Sequence, residues 1–218
     1  MLSLLLASFV TFFVAIDPVA MAPMFTTMTS RMTPEWRRKM AWKSIAIATG
    51  ILLAFAFGGA WLLQQIHVSI DAFRIAGGLL LFLIAVDMLF EKRSERREER
   101  AEQVAQHQAE HPGTQDDISV FPLAIPLISG PGAIASIMLF FAENQDIVSR
   151  GIILLGVGAN LALCLIAFLA SGPLSKIMGE TVASMLTRIF GILLAALAAQ
   201  FVVDGIRNVF GITAAAAG

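Results

Sequence analysis

Charge is scarce in this chain. Only 14% of its 218 residues are Asp, Glu, Lys or Arg, well under the roughly one quarter found in soluble domains. From Met1 to Ser30 the sole charge is Asp17, and no basic residue precedes Arg31. A cleavable secretory signal opens on basic residues, so the first apolar run is expected to be a retained span. One cysteine, Cys164, excludes an intramolecular disulfide and is expected to be a small buried hydrophobe. His67, His107 and His111 fall in stretches read as loops, and no His-Glu-x-x-His run accompanies them. With no nucleophile beside a base and no metal cluster, the chain is not read as an enzyme, and no cofactor or metal is expected. Its basic residues are scattered over loops beside apolar runs, which offers nucleic acid no continuous footprint.

What remains is apolar. Hydrophobic residues make up 57% of the chain and the mean hydropathy is +0.79, which points to an all-α, polytopic protein of the lipid bilayer. Six spans are expected. The first lies in Met1 to Ser30 and contains the breakers Asp17-Pro18 and Pro23; a basic connector with Thr33-Pro34-Glu35 as a helix start follows it. The second runs from Ser44 to Leu63, the third from Ile70 to Phe90 and the fourth from Ile118 to Ala142. The fifth runs from Gly151 to Ala170, ended by Ser171-Gly172-Pro173, and the sixth from Ser184 to Ile206. Glu91 to Glu102 holds five acids and five bases, and Gln103 to Asp117 is polar with a Pro112-Gly113 turn signal. That stretch is expected to prolong the third helix briefly and then fray. The organisation is a three-helix repeat over 1–90, a linker over 91–117, a second repeat over 118–210 and a tail over 211–218.

Six spans place both termini on one side. The connectors after spans one, three and five carry five, five and two basic residues, against Arg74, Arg150 and Arg207 on the other face. By the positive-inside rule the linker faces the cytoplasm and both termini face outward from the cytoplasmic (inner) membrane.

The fourth span carries a breaker in its middle. Proline removes a backbone donor and glycine admits dihedrals that other residues resist, so Gly130-Pro131-Gly132 should interrupt the helix. Broken backbone at membrane depth is tolerated only where protein covers it or where it lines a cavity. A helix restarting at Pro131, Gly132 and Ala133 would offer unpaired amides and a positive dipole end to a carboxylate, and the carbonyls freed near Ile128 and Ser129 would suit an ammonium or a cation. The break at Asp17 and Pro18 would supply a second set. A small zwitterion satisfies both ends, and the small residues Ala15, Ala20, Gly130 and Ala133 leave little room for a large side chain. Asp17 would cost about 2.5–3.5 kcal/mol at the bilayer centre, so it needs a partner or a role. It could hold a substrate ammonium, bind a coupling cation such as sodium, or carry a proton.

Other polar residues in the spans have two readings each. Asp87 and Asp204 lie late in spans three and six, either as gating or ion-coupling carboxylates or simply at the interface. Asn160 and Gln200 are mid-span amides that bond between helices or serve ion coupling. The glycine clusters 58–59, 77–78 and 156–158 suit close helix contact.

The chain also repeats itself. Arg74-Ile75-Ala76-Gly77 matches Arg188-Ile189-Phe190-Gly191 at an offset of 114, and Pro18-Val19-Ala20-Met21-Ala22 can be laid on Pro131-Gly132-Ala133-Ile134-Ala135 at 113. Halves of three spans each must be inserted in opposite orientations, and interrupted helices at matching positions of inverted halves point to a transport site.

These same residues carry a family resemblance. Phe121 to Ile134, Ile16-Asp17-Pro18 and Phe73-Arg74-Ile75-Ala76-Gly77-Gly78 resemble the MarC family of six-span bacterial and archaeal inner-membrane proteins over nearly the whole chain. Many members carry Asn-Pro-Val or Asp-Pro-Ile-Gly where this chain has Asp17-Pro18-Val19-Ala20. The resemblance implies a fold of two inverted three-helix repeats and, from characterised members, transport of small neutral amino acids such as glycine and alanine. A channel, an exporter of another solute and a regulatory membrane protein remain the alternatives, and the oligomeric state is not legible.

Overall fold

The computed structural model describes residues 1–90, 92–110, 117–170 and 180–211; the expected terminator Ser171-Gly172-Pro173, the Pro112-Gly113 turn, His111 and nearly all of the tail lie outside them. The elements are α1 (Leu2–Ile16), α2 (Pro18–Met28), α3 (Pro34–Gln65), α4 (Ile70–Leu89), α5 (Lys92–Glu110), an irregular helical segment (Ser119–Ile128), α6 (Pro131–Glu143), α7 (Ile147–Leu169) and α8 (Glu180–Val209). Among the described residues there is no strand. Six spans result: α1 with α2, α3, α4, α7, α8, and the pair formed by Ser119–Ile128 and α6, which bends by 59° at its break.

Local chemistry sets the starts. Thr33 accepts the Trp36 amide at 3.3 Å with Pro34 at the first helical position, Ser69 accepts Ala72 at 3.1 Å, and Asp146 accepts Ser149 at 2.8 Å. Three expectations need correction. The helix of the second span starts at Pro34, so Arg37, Arg38, Lys39 and Lys43 ride on α3 instead of on a loop. With 32 residues α3 is about 48 Å long, more than the roughly 30 Å hydrocarbon layer, so its basic first turns project from the bilayer. The linker does not fray after a turn: its first part is the helix α5, which also contains His107. The first half of the fourth span is not an α-helix, because Pro122 and Pro126, both following cis peptide bonds, leave Phe121 and Ile125 in extended dihedrals.

The two halves are inverted copies. A Cβ on Gly78 of α4 would stand 2.8 Å from the Ala198 carbonyl and 2.8 Å from Val202 on α8; one on Gly191 of α8 would stand 3.2 Å from the Ala85 carbonyl and 3.4 Å from Leu89 on α4. Each glycine thus meets the residues that the other predicts at an offset of 113, and the two helices run antiparallel. The same offset joins the helix starts Pro18 and Pro131 and the caps Thr33 and Asp146. The 114 read from the arginine motifs is therefore one residue too long. Each broken span is seated on the middle span of the other half: α1 and α2 lie against α7, and Ser119–Ile128 and α6 lie against α3. One buried cluster runs through both breaks, including Ile16 and Met21, Ile128 and Ala133, Ala48 and Leu161. Lipid tails are as apolar as these side chains, so close packing holds the helices together, as where Gly156 leaves a Cβ position only 2.6 Å from Ser8 Oγ.

Candidate functional site

The first break is made by one residue. Asp17 has φ 61° and ψ 65°, the left-handed region that aspartate and asparagine tolerate better than most side chains. Its amide closes α1 by donating to Phe13 O at 2.8 Å, its carbonyl accepts Met21 N at 3.2 Å, and its Oδ1 caps α2 by accepting Ala20 N at 3.3 Å. Pro18 follows at the first helical position, where a missing amide costs nothing. Pro23 sits inside α2 without ending it, and its ring removes the amide that would have bonded the Val19 carbonyl beside the break. Asp17 is buried, with 4% of its surface exposed.

The second break is made differently. Ser129 donates its amide to Ala124 O at 2.9 Å in a wide turn, and its hydroxyl donates to the Ala48 carbonyl of α3 at 3.2 Å. Gly130 is obligatory, because a Cβ there would stand 2.7 Å from the Pro126 carbonyl. It caps α6 with no side chain. Pro131 has no amide, and those of Gly132 and Ala133 find no acceptor among the described residues, although both residues are buried. α4 closes over this turn, with Ile84 and Leu81 at 2.9 and 3.2 Å from the Cβ position of Gly132.

The charge facing Asp17 comes from the linker. Arg97 of α5 donates from Nη1 to Asp17 Oδ2 at 3.0 Å, and both side chains are buried. Burial pushes the guanidinium below its ordinary value and the Asp17 charge opposes that shift; Cys164 lies in the buried cluster that includes Ile16 and Ala101. α5 docks on α2 through Arg97, Ala101 and Val104, a stripe at i, i+4 and i+7 in an otherwise charged helix. That stripe was the sequence signal for Arg97, which the reading by charge balance missed.

Comparison with known proteins adds the family. The model described as the MarC family integral membrane protein matches residues 2–210. This chain belongs to the MarC family. Among relatives, a UPF0056 membrane protein of Archaeoglobus fulgidus is 35% identical over 95% of this chain and 94% of its own. YhcE of Escherichia coli is 34% identical over 93% and 91%, and YvbG of Bacillus subtilis 31% over 96% and 97%. No solved structure matches.

In this MarC protein the remaining predicted residues do not converge on the breaks. Asp87 pairs with Arg96 at 3.1 Å on a partly exposed surface, and exposed Gln200 donates to Asp204 at 2.8 Å. Asn160 does reach α1, donating to Phe9 O at 3.0 Å and to Gly156 O at 2.9 Å, while its Oδ1 is buried without a partner. Thr11 Oγ1 and Ser136 Oγ, on the two broken spans, are likewise buried and unpartnered. At the opposite ends of α4 and α6, Arg74 pairs with Glu143 at 2.7 Å and with Asp71 at 3.7 Å. Where the linker rejoins the bundle, Asp117 pairs with Lys43 and accepts from Ser119, and these bonds hold its carboxyl down at about 2. No group of three or more His, Cys, Asp or Glu suited to a metal occurs among the described residues.

Proposed function

We propose that this MarC-family protein is a secondary carrier of small zwitterions, glycine- or alanine-like amino acids, that works by alternating access around its two breaks. One observation carries the reading: at matching positions of two inverted halves, one helix restarts with the unmatched amides of Gly132 and Ala133, and the other breaks at a buried carboxylate, Asp17. Backbone amides at a helix start suit a carboxylate, and Asp17 suits an ammonium or a coupling ion, sodium or a proton. Ser129, Gly130 and Pro131 shape the first of these subsites and Pro18 the second. The inverted halves supply the motion, since one half rocking against the other exchanges their environments. The reading includes an inner-membrane location with α5 in the cytoplasm and the termini outside, following the basic residues gathered at one end. It is a carrier and not an enzyme.

The test is uptake of radiolabelled glycine and alanine into proteoliposomes, with sodium and pH gradients imposed separately. Saturable, stereoselective uptake that follows one gradient supports a coupled carrier. Non-saturating flux would make it a channel, and no flux from folded, inserted protein would remove the amino-acid reading.

A further inference from the structure

The linker helix α5 does more than join the halves. Among the described residues it has no counterpart in the second half, and it brings a guanidinium into the first break, where Arg97 and Asp17 are 6% and 4% exposed. At the second break the covering is apolar and comes from α4, through Leu81 and Ile84 over Gly132. At the first break the corresponding residue Val19 and its neighbour Ala20 are only half-buried, and the cover is α5 with the buried cation Arg97. The two-fold relation of the halves is thus broken at the spot where a charge is inserted.

We infer that Arg97 is the resident counter-cation of Asp17 and that α5 is a plug, leaving the first break only when a transported cation takes the guanidinium's place. This deepens the proposed function and rests on it for the identity of the displacing cation. The physical reason is the asymmetry of buried ion pairs: removing one partner leaves the other charge desolvated and unpaired, which is far more costly than exchanging it for another ion. A bare Asp17 is disfavoured, so α5 opens together with the arrival of an ammonium or a metal cation. The plug thereby couples opening to loading and suppresses leak. The covering residues Ala101 and Val104 are small, which lets α5 separate from α2 at little cost in buried area.

The sole cysteine is a native reporter. Cys164 is fully buried in α7, in the same packed cluster as Ile16 beside the first break and Ala101 of α5. The experiment measures alkylation of Cys164 by N-ethylmaleimide in proteoliposomes, read by mass spectrometry, for the wild type, Arg97→Lys, Arg97→Gln and the double variant Asp17→Asn/Arg97→Gln. The double variant removes both charges, so it stays folded where Arg97→Gln alone strands a buried carboxylate. The expected result is at least tenfold faster alkylation in the two glutamine variants, with Arg97→Lys near the wild-type rate. In the wild type, glycine in choline chloride accelerates the reaction if an ammonium displaces Arg97, and sodium chloride alone does so if a metal ion does. Unchanged protection of Cys164 in the folded double variant overturns the plug, and no acceleration by either cation overturns displacement. Fast alkylation of the variants with no glycine uptake by the wild type would leave the plug standing and remove the amino-acid reading. Protected Cys164 with uptake intact would do the reverse.

Discussion

Asp17 and Arg97 lie 80 residues apart in the chain and 3.0 Å apart in space, both buried. The pair joins the break of the first span to a helix whose composition is that of a solvated linker, so one face of the charged stretch is buried against the bundle while the rest stays exposed. Removing either member strands the other, at a cost of about 3–5 kcal/mol.

Asp17→Ala should insert but fail to take up glycine. It loses the cap on Ala20, worth about 1 kcal/mol, puts alanine in the left-handed region at a further 1–2 kcal/mol or so, and leaves Arg97 unpaired. Asp17→Asn keeps the cap and the dihedral preference, so its melting temperature in detergent should lie well above that of the alanine variant. Wild-type uptake by Asp17→Ala would sink the role assigned to this carboxylate.

Gly130→Ala and Gly158→Ala should part company. The first places a Cβ 2.7 Å from the Pro126 carbonyl, a backbone atom that cannot swing aside, whereas the second meets nothing within 4 Å. Gly130→Ala should lower the melting temperature and uptake together. Gly158→Ala should be neutral or stabilising by up to about 1 kcal/mol, since alanine is the better helix former.

The Arg74–Glu143 pair should behave as a second clasp, at the end of α4 and α6 remote from α5. At 2.7 Å and partly buried it ties α4 over the second break. A double-mutant cycle of Arg74→Ala and Glu143→Ala, read by thermal unfolding, should give a coupling of about 1–2 kcal/mol. Strict additivity would show that the clasp contributes nothing.

The Lys43–Asp117 contact should survive mild acid. Its carboxyl is held down at about 2 in the folded protein against an ordinary 3.8, so its contribution is complete above the unfolded value and is lost as pH falls through the folded one. The difference in melting temperature between wild type and Asp117→Asn should be constant above about pH 5 and should shrink toward zero near pH 2. A gap that closed already at pH 4 would mean the contact is not made in solution.

The break at Gly130-Pro131-Gly132 was legible because proline and glycine act within a turn or two of themselves, as was the one at Asp17-Pro18. The inverted repeat was legible for the same reason, to within one residue. What lay beyond was any feature in which a local preference yields to a distant contact. The charge-balanced stretch after Glu91 looks like solvent-facing helix, and only the Ala101 and Val104 positions hinted that one face was covered. Asn160 and Gln200, alike as mid-span amides, differ because one faces α1 and the other is exposed.

By itself the sequence determined six apolar spans, two interrupted helices and their inverted repetition, because insertion into lipid and the dihedral limits of proline and glycine depend on composition over a few residues. The tertiary structure alone decided which cation answers Asp17, that α4 closes the second break while α5 closes the first, and that the offset between halves is 113. Those are contacts between segments tens of residues apart, and a buried charge takes the partner that packing delivers, not the one nearest in the chain.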